Sequence, residues 1–600
     1  MYWRHAVRLR MLLLPIVLSY LCSLVSSGEP LEALIYVYKE HGADHFRYME
    51  YKSVSEVVLD FPIVSIALHD NEIEKNGWTT LSVMTSDVVP DKYQAYWAGF
   101  LETNITYELT NASYENSVAG LCPEPLTPQC KKLKAYLSEN MEYVITQYLT
   151  FGGNDEFWYQ VGLQMWQLKG ISDAYRHIFV SDASTLTDDY LLSLKDDVLA
   201  VYLLQLSGDL SEILKALALP ELINQVNQFG LPTVSSPSCS ALIKLIKGDV
   251  YLSHVTWSPY SMMLRVLKHY NFPWKINGRA SEKTPGYAVT FSSYPSVISS
   301  VDDFYITSAK LVSIETTIGN SNEELWRIVR NGASNSVLEP FRVMTANRMA
   351  RNGAEWVSYF KNQNCGTYNN QWMIFDANLY KPNKPLPAKG LLTVAEQIPG
   401  LVYDADVTDV LKRQTYWASY NLPYFPLIYN ASGVPAKVAK YGDWYDYNKT
   451  ARAQMFRRDH SSVKDLATMH KLMRYNNFKV DPLSYCNCTP NYTAENAVSA
   501  RSDLNDPNGT YSIPAFEYRL HGGTDVKITN YTMIYMMNML ATSGPTYDNV
   551  PPFQWSKIPV KVPKPRMHPD KWMFTPIVTD FTEYLGGNLV PKPPKLISVF

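Results

Sequence analysis

The chain has 600 residues, 46% apolar and 18% charged, a balance that excludes a disordered, collagen-like or coiled-coil protein. A formal net charge of −3 excludes the basic footprint of a nucleic-acid binder. At roughly 100–200 residues per domain the length implies several structural units, and 43 Tyr and 37 Pro against 28 Gly point to ordered, aromatic-lined loops.

At the amino terminus, Arg4, Arg8 and Arg10 precede an apolar run from Met11 to Val25, and Ser26, Ser27 and Gly28 follow. A basic head, a short apolar core and a small-residue exit describe a secretory signal peptide over residues 1–27; a membrane span needs about 20 apolar residues. Its removal takes away three arginines and no acid, which moves the net charge from −3 to −6. No later stretch is long and apolar enough to span a bilayer, so the expected product has no transmembrane anchor and is secreted or lumenal. Asn-x-Ser/Thr acceptors at Asn104, Asn111, Asn430, Asn448, Asn487, Asn491, Asn508 and Asn530 agree with a glycoprotein whose acceptor sites lie at the surface.

Residues 28–120 alternate short strand-like runs (LIYVYK, VVLDFPIVSIAL) with polar turns. Cys122 and Cys130 then bracket the Pro-rich CPEPLTPQC, a local disulfide in an oxidising compartment. Helical spacing runs from Lys131 to Leu149 and recurs to about Gln228, interrupted at Pro220. FGLPTVSSPS, from Phe229 to Ser238, is the clearest break in the chain. Beyond it CSALIKLI and VYLSHVTW flank Lys247-Gly248-Asp249 as a hairpin, and SMMLRVLKHY reads as helix. The last hundred residues, rich in Pro, Asn and Tyr, read as loops with short elements. The mixture gives an α+β or layered α/β fold with antiparallel sheet.

Cys486 and Cys488 stand one residue apart, where a bridge is tight, and their pairing stays open. No second Cys/His pair stands at ligand spacing, so no metal is expected there. Cys239 and Cys365 are left without sequence partners. Neither a G-x-S-x-G elbow, a P-loop, a dinucleotide fingerprint nor H-E-x-x-H is present, and DLNDPNGTY at Asp503–Tyr511 lacks calcium-loop spacing.

Cys239 heads a strand directly after the break. Cutting the Ser238–Cys239 bond places a free α-amine, of ordinary pKa about 7.7–8.0, beside a thiol of about 8.5. One residue then supplies nucleophile and base. The thiol can also make the cut, by attacking the Ser238 carbonyl and passing the acyl group to sulfur for hydrolysis. A small buried structural cysteine is the plainer reading of the same position.

The residues SCSALIKLI…YLSHVTWSPYSMMLRVLKHY, FSSYPSVISSVDDFYITS, ETTIGN, NCGTYNNQWMIFD, EQIPG, YWASYNLPYF, YGDWYDY, ARAQMFRRDH, LMRYNNFKVDPLS and AENAVSARSDLNDPNGTY occur in this order over most of residues 231–525. Together they resemble the phospholipase B-like family of lysosomal N-terminal nucleophile hydrolases. The resemblance implies a four-layer αββα sandwich and self-cleavage into residues 28–238 and 239–600, the two pieces remaining associated. It implies Cys239 as nucleophile, Asn421 as oxyanion-hole donor, Arg452 as a pocket arginine, and His254, Trp257, Thr316 and Thr317 as pocket residues. It implies no cofactor. A lysosomal or secreted location follows, with association into a homo-oligomer compatible with it.

The plain roles of the same residues are a salt bridge from Arg452 to Asp459 or Asp443, a turn at Asn421 and a structural His254. With Gly248-Asp249 as a two-residue turn, Cys239 pairs with Ser258 and Ile243 with His254, which sets His254 about 13 Å from Cys239 along the strand. A slipped register brings Trp257 beside Cys239 instead. Departures from the family pattern are Val255, Ser296, Cys365, which raises thiol crosslinking, and the close spacing of Cys486 and Cys488.

The functional expectation is a thiol hydrolase that removes acyl chains from glycerophospholipids. The alternatives are an amidase for N-acyl or other linear amides, and a glycoprotein that binds lipid or a partner without turnover.

Overall fold

A computed structural model of the chain describes residues 31–51, 61–229, 239–580 and 597–598. The expected signal peptide and Ser238 lie outside the described residues.

Most of the backbone is organised by two large sheets. The first contains β1 (Leu31–Glu40), β2 (Ala43–Tyr51), β3 (Ile63–Glu72), β4 (Trp78–Thr85), β7 (Arg265–Asn271), β8 (Ala288–Ser293), β9 (Phe304–Thr307), β10 (Leu311–Thr317), β11 (Asn370–Asp376), β12 (Leu392–Ile398) and β13 (Leu401–Asp406). Their order is β13-β12-β11-β10-β9-β8-β7-β4-β3-β1-β2. The second contains β5 (Ser240–Ile246), β6 (Asp249–Pro259), β14 (Tyr416–Ser419), β15 (His521–Asn530) and β16 (Leu540–Ser543), ordered β14-β5-β6-β15-β16 and extended by short strands Ile577–Val578 and Ile597–Ser598. All pairs are antiparallel except β4 with β7, which run parallel from Trp78↔Arg265 to Met84↔Asn271. That one ladder joins the strands before residue 238 to those after it.

Strand alternation sorts side chains between faces. Ala241, Ile243, Val250 and Leu252 of the second sheet share a core with Leu267, Ile306, Ile314, Phe375 and Val394 of the first, so the sheets pack face to face. The opposite face of the second sheet offers Leu242, Val255, Trp257 and Val526 to helices Ala451–Asp459 and Leu466–Met473 through Met455, Phe456 and Met469. The other face of the first sheet carries Val266, Tyr270, Phe291 and Ile374 against the helices of residues 91–229 and 339–360. Within that layer, helices Asp91–Ile105 and Glu156–Tyr175 approach backbone to backbone at Gly99 and Gly170. A methyl on Gly99 falls 1.9 Å from the Gln167 carbonyl oxygen, and one on Gly170 falls 1.9 Å from that of Tyr96.

Two expectations are corrected. SMMLRVLKHY is not a helix: Arg265–Asn271 is β7, held between β4 and β8 and buried on both faces except at its last residue. Arg265, Lys268 and His269 interrupt the apolar residues at helix-like spacing, yet all three are buried, and tertiary pairing decides for the strand. The β5–β6 register also differs. Ile246 pairs with Asp249 and Ala241 with His254, so the turn is Lys247-Gly248. Gly248 at φ +82° takes the left-handed position, which glycine adopts without a Cβ clash.

The sulfurs of Cys122 and Cys130 lie at disulfide distance, as do those of Cys486 and Cys488. Cys365 is buried beside Arg342, Asp209 and Thr367, which keeps it from crosslinking between chains. Among the acceptor asparagines, Asn430, Asn448, Asn487, Asn491 and Asn508 are exposed, while Asn104, Asn111 and Asn530 are half-buried. No helix among the described residues is long and apolar enough to cross a membrane.

Candidate active site

Cys239 is the first described residue after the break and the residue before β5. It is buried, with 2% of its surface exposed, and its backbone sits at φ +94°. That region is costly for a residue with a Cβ and persists only where surrounding contacts impose it. Those contacts come from the helix side of the second sheet. Arg452, on helix Ala451–Asp459, donates from Nη1 to the Cys239 carbonyl at 2.6 Å and to Ser240 Oγ at 3.2 Å. Its Nη2 donates to Asn421 Oδ1 at 2.7 Å, and the guanidinium lies 4.3 Å from the Trp257 ring centroid. Burial pushes the Arg452 pKa down to about 10, still well above neutrality. Asp459 and Asp443 are engaged elsewhere, by Arg458 and Lys449.

Asn421 follows β14 at φ +69°, a conformation asparagine tolerates better than most residues. Its Nδ2 donates to the Thr317 carbonyl at 2.8 Å, and its backbone N–H reaches Thr316 Oγ1 at 3.4 Å. Thr316 Oγ1 in turn meets Ser419 Oγ at 2.6 Å. Thr316 and Thr317, at the end of β10, thus tie the first sheet to the loop that carries Asn421.

The expected 13 Å separation of His254 from the nucleophile is wrong, because the Lys247-Gly248 turn moves His254 two residues along its partner strand. Cys239 Sγ, a ring nitrogen of His254 and a carboxylate oxygen of Glu315 all lie within 4.8 Å of one another. The Trp257 backbone amide lies against the Cys239 sulfur and favours its thiolate, while its indole Nε1 donates to the Val498 carbonyl at 3.2 Å. Trp257 therefore does stand beside Cys239, though across a register in which Ser240 faces Val255.

A set of buried charges surrounds this trio. Arg265 forms ion pairs with both Asp302 and Asp525, and Lys527 bonds Asp525 at 2.7 Å and Thr256 Oγ1. Asp303 and Glu315 complete the set, with Tyr368 donating to Glu315 Oε1 at 3.2 Å. Burial opposes the charged form of every group here; the ion pairs outweigh it at Arg265, which is raised, and at Asp525, which is lowered, whereas burial prevails at Cys239, His254 and Glu315. It drives the Cys239 thiol well above its ordinary pKa, helped by Glu315 and Asp302 and opposed by the Trp257 amide and Lys527. It raises Glu315 likewise and lowers His254 well below the usual imidazole range. Burial thus favours the uncharged form of the thiol, the imidazole and the Glu315 carboxyl, and proton transfer from sulfur requires a base placed against it.

Glu315, Arg265, Asp302, Asp303, Asp525 and Lys527 did not stand out in the sequence. Glu315 is the first residue of the ETT triplet whose two threonines did. Its burial beside a cysteine follows only from the pairing of two sheets.

The Phospholipase B family model matches residues 65–579. Phospholipase B-like 2 of Mus musculus is 45% identical over 517 residues, covering 84% of this chain and 83% of the mouse protein. The Homo sapiens protein of that name is 44% identical over 513 residues, 84% of each chain. Phospholipase B-like 1 of Caenorhabditis elegans is 37% identical over 548 residues, 90% of this chain and 91% of its own. A match over most of the chain, with relatives aligned along most of their own length, makes this chain a member of the phospholipase B family.

Proposed function

We propose that the chain is a phospholipase B-like hydrolase whose nucleophile is the thiol of Cys239, freed by self-cleavage before that residue. The observation that carries this reading is the position of Cys239: it heads a strand at φ +94°, its carbonyl clamped by Arg452 and its sulfur against the Trp257 amide. Strain concentrated at one residue favours reaction at its upstream peptide bond, since the cut releases the φ restraint. Core packing on both faces of the two sheets supports the αββα layering of N-terminal nucleophile hydrolases. The β4–β7 ladder supports continued association of residues 28–238 with 239–600.

In the maturation step the Cys239 sulfur attacks the Ser238 carbonyl carbon, the C–N bond breaks, and the nitrogen takes up a proton as an amine. Water then hydrolyses the thioester, which returns the thiol and leaves Ser238 with a carboxylate. In turnover the α-amine accepts the thiol proton as sulfur attacks the acyl carbonyl of a glycerophospholipid. Asn421 stabilises the developing oxyanion. The alcohol departs with the proton, and water releases the fatty acid from sulfur. Arg452, Trp257, His254, Thr316 and Thr317 hold the pocket. The expected secretory signal and the acceptor asparagines support a location in the lysosome lumen or outside the cell.

The test pairs amino-terminal sequencing of the secreted protein with hydrolysis of phospholipid and N-acyl amide panels. The expected result is a new terminus at Cys239 and ester turnover abolished by Cys239→Ala. Amide turnover without ester turnover replaces the substrate class with N-acyl amides. Ester turnover that survives the substitution overturns the thiol mechanism.

A further inference from the structure

Cys239, His254 and Glu315 come from three strands or strand ends, yet their donor atoms fall within 4.8 Å of one another. Sequence spacing gives no hint of this, because the three positions are 15 and 61 residues apart. His254 is fully buried, and among the described residues neither ring nitrogen makes a well-formed hydrogen bond, although the Glu315 backbone lies near the ring. Glu315 Oε2 is also buried without a donor. Two buried side chains thus direct unsatisfied lone pairs at a thiol, an arrangement that is costly unless something fills it.

The surroundings do not oppose a cation: Asp302, Asp303, Glu315 and Asp525 share this buried region with Arg265 and Lys527, so it carries no excess of positive charge. One thiolate, one imidazole and one carboxylate form a borderline-soft set that suits Zn2+. Ligand atoms in a tetrahedral zinc site stand ~3.5 Å apart for bonds of 2.0–2.3 Å, so closure from the observed spacing asks only for side-chain rotation.

We propose that Cys239 Sγ, His254 and Glu315 bind a divalent cation of the zinc class, and that the bound ion holds the thiol out of reaction. Binding displaces the proton from sulfur and from any protonated Glu315, and forms S–metal, N–metal and O–metal bonds with no change of oxidation state. The three side chains suffice in the uncut chain. In the cut chain the Cys239 α-amine, which rests on the cleavage proposed above, closes a five-membered chelate as a fourth donor.

The test uses the full secreted protein, stripped with a chelator and dialysed, then titrated with Co2+ while the thiolate-to-cobalt absorption is followed. The expected result is one equivalent bound, a charge-transfer band, and loss of that band when Zn2+ is added. Cys239→Ala abolishes the band, His254→Ala weakens binding at least tenfold, and Glu315→Gln weakens it with little change in shape. Cys365→Ser retains the band. Each variant is melted beside the wild type, so that a fold defect is seen directly. No band from folded wild-type protein, or an unchanged band in folded His254→Ala, overturns the site. Amino-terminal sequencing of the same sample separates the two ideas: an uncut chain that binds Co2+ keeps the metal site and removes the cleavage.

Discussion

Arg452 donates to the backbone carbonyl of Cys239 across 213 positions of sequence, at 2.6 Å, and so fixes the first peptide unit of β5 from the opposite face of the sheet. The planar fork reaches Asn421 with its other nitrogen while stacked over Trp257. Lysine cannot reproduce two directed bonds and a stacked plane together. Arg452→Lys is expected to lower kcat about 10²-fold, the loss that follows when a reacting group shifts by about 1 Å. Steady-state kinetics decide it: a rise in KM with kcat intact assigns Arg452 to substrate binding alone.

Asn421 uses its carbonyl oxygen for Arg452 and one amide hydrogen for Thr317. The oxyanion role needs its amide nitrogen, whereas anchoring Arg452 needs only its oxygen. Asn421→Asp separates the two, because the carboxylate still accepts from Arg452 but donates nothing. The expected loss in kcat is about 10²–10³-fold, as for removal of one oxyanion donor. Activity near wild type in Asn421→Asp assigns this residue to anchoring Arg452.

The sequence exposed Cys239 because a thiol directly after a Ser/Pro-rich break, at the head of an apolar run, is locally visible. Arg452 and Asn421 were reachable only through resemblance, since helix Ala451–Asp459 and the β14 loop meet Cys239 through long-range packing. His254 was misplaced by a choice between two adjacent two-residue turns that share Gly248. Both look alike in sequence, and the left-handed φ of that glycine decides between them. The acids around Glu315 were hidden for a different reason. Asp302 and Asp303 lie in the loop before β9, while Glu315 and Asp525 lie within strands, and acids in either setting read as solvent-facing unless a second sheet covers them. Strand β15, ten residues in a region that reads as loops, was missed for its Gly522-Gly523 opening and for the Lys, Asp and Thr that punctuate it.

Arg265 is the only group among the described residues that ion-pairs with both Asp302 and Asp525, and all three are buried. Arg265→Met preserves much of the side-chain volume but leaves Asp302 without its ion pair. Breaking one side of a buried pair costs about 3–5 kcal/mol. Lys527→Met is expected to cost less, because Asp525 keeps Arg265. Urea unfolding of both variants checks the order, and equal stability losses contradict it.

Stability is expected to fall as pH rises from neutrality to about 8.5. Burial raises Asp209 to about 6, Glu396 to about 7, and Glu212 and Asp303 each to about 8. In the unfolded chain these carboxyls titrate near 4. Burial lowers His69, His254, His269, His470, His521 and His568, which act with the opposite sign below about pH 6.5. Above it the native state binds more protons at the carboxyls than the unfolded state, and the stability they contribute falls as pH rises through their folded values. Their contribution is complete below the unfolded value and is lost once pH passes the folded one. Asp209 alone corresponds to about 3 kcal/mol at 1.36 kcal/mol per pKa unit. Melting at constant ionic strength should give a Tm several degrees higher at pH 7 than at pH 8.5, a window in which the histidines are neutral in both states. Glu212→Gln, which cannot ionise and keeps the shape, should flatten that slope while keeping the acid-side Tm near wild type. A Tm that rises with pH across the same window shows these carboxyls to be ionised and paired in the native state.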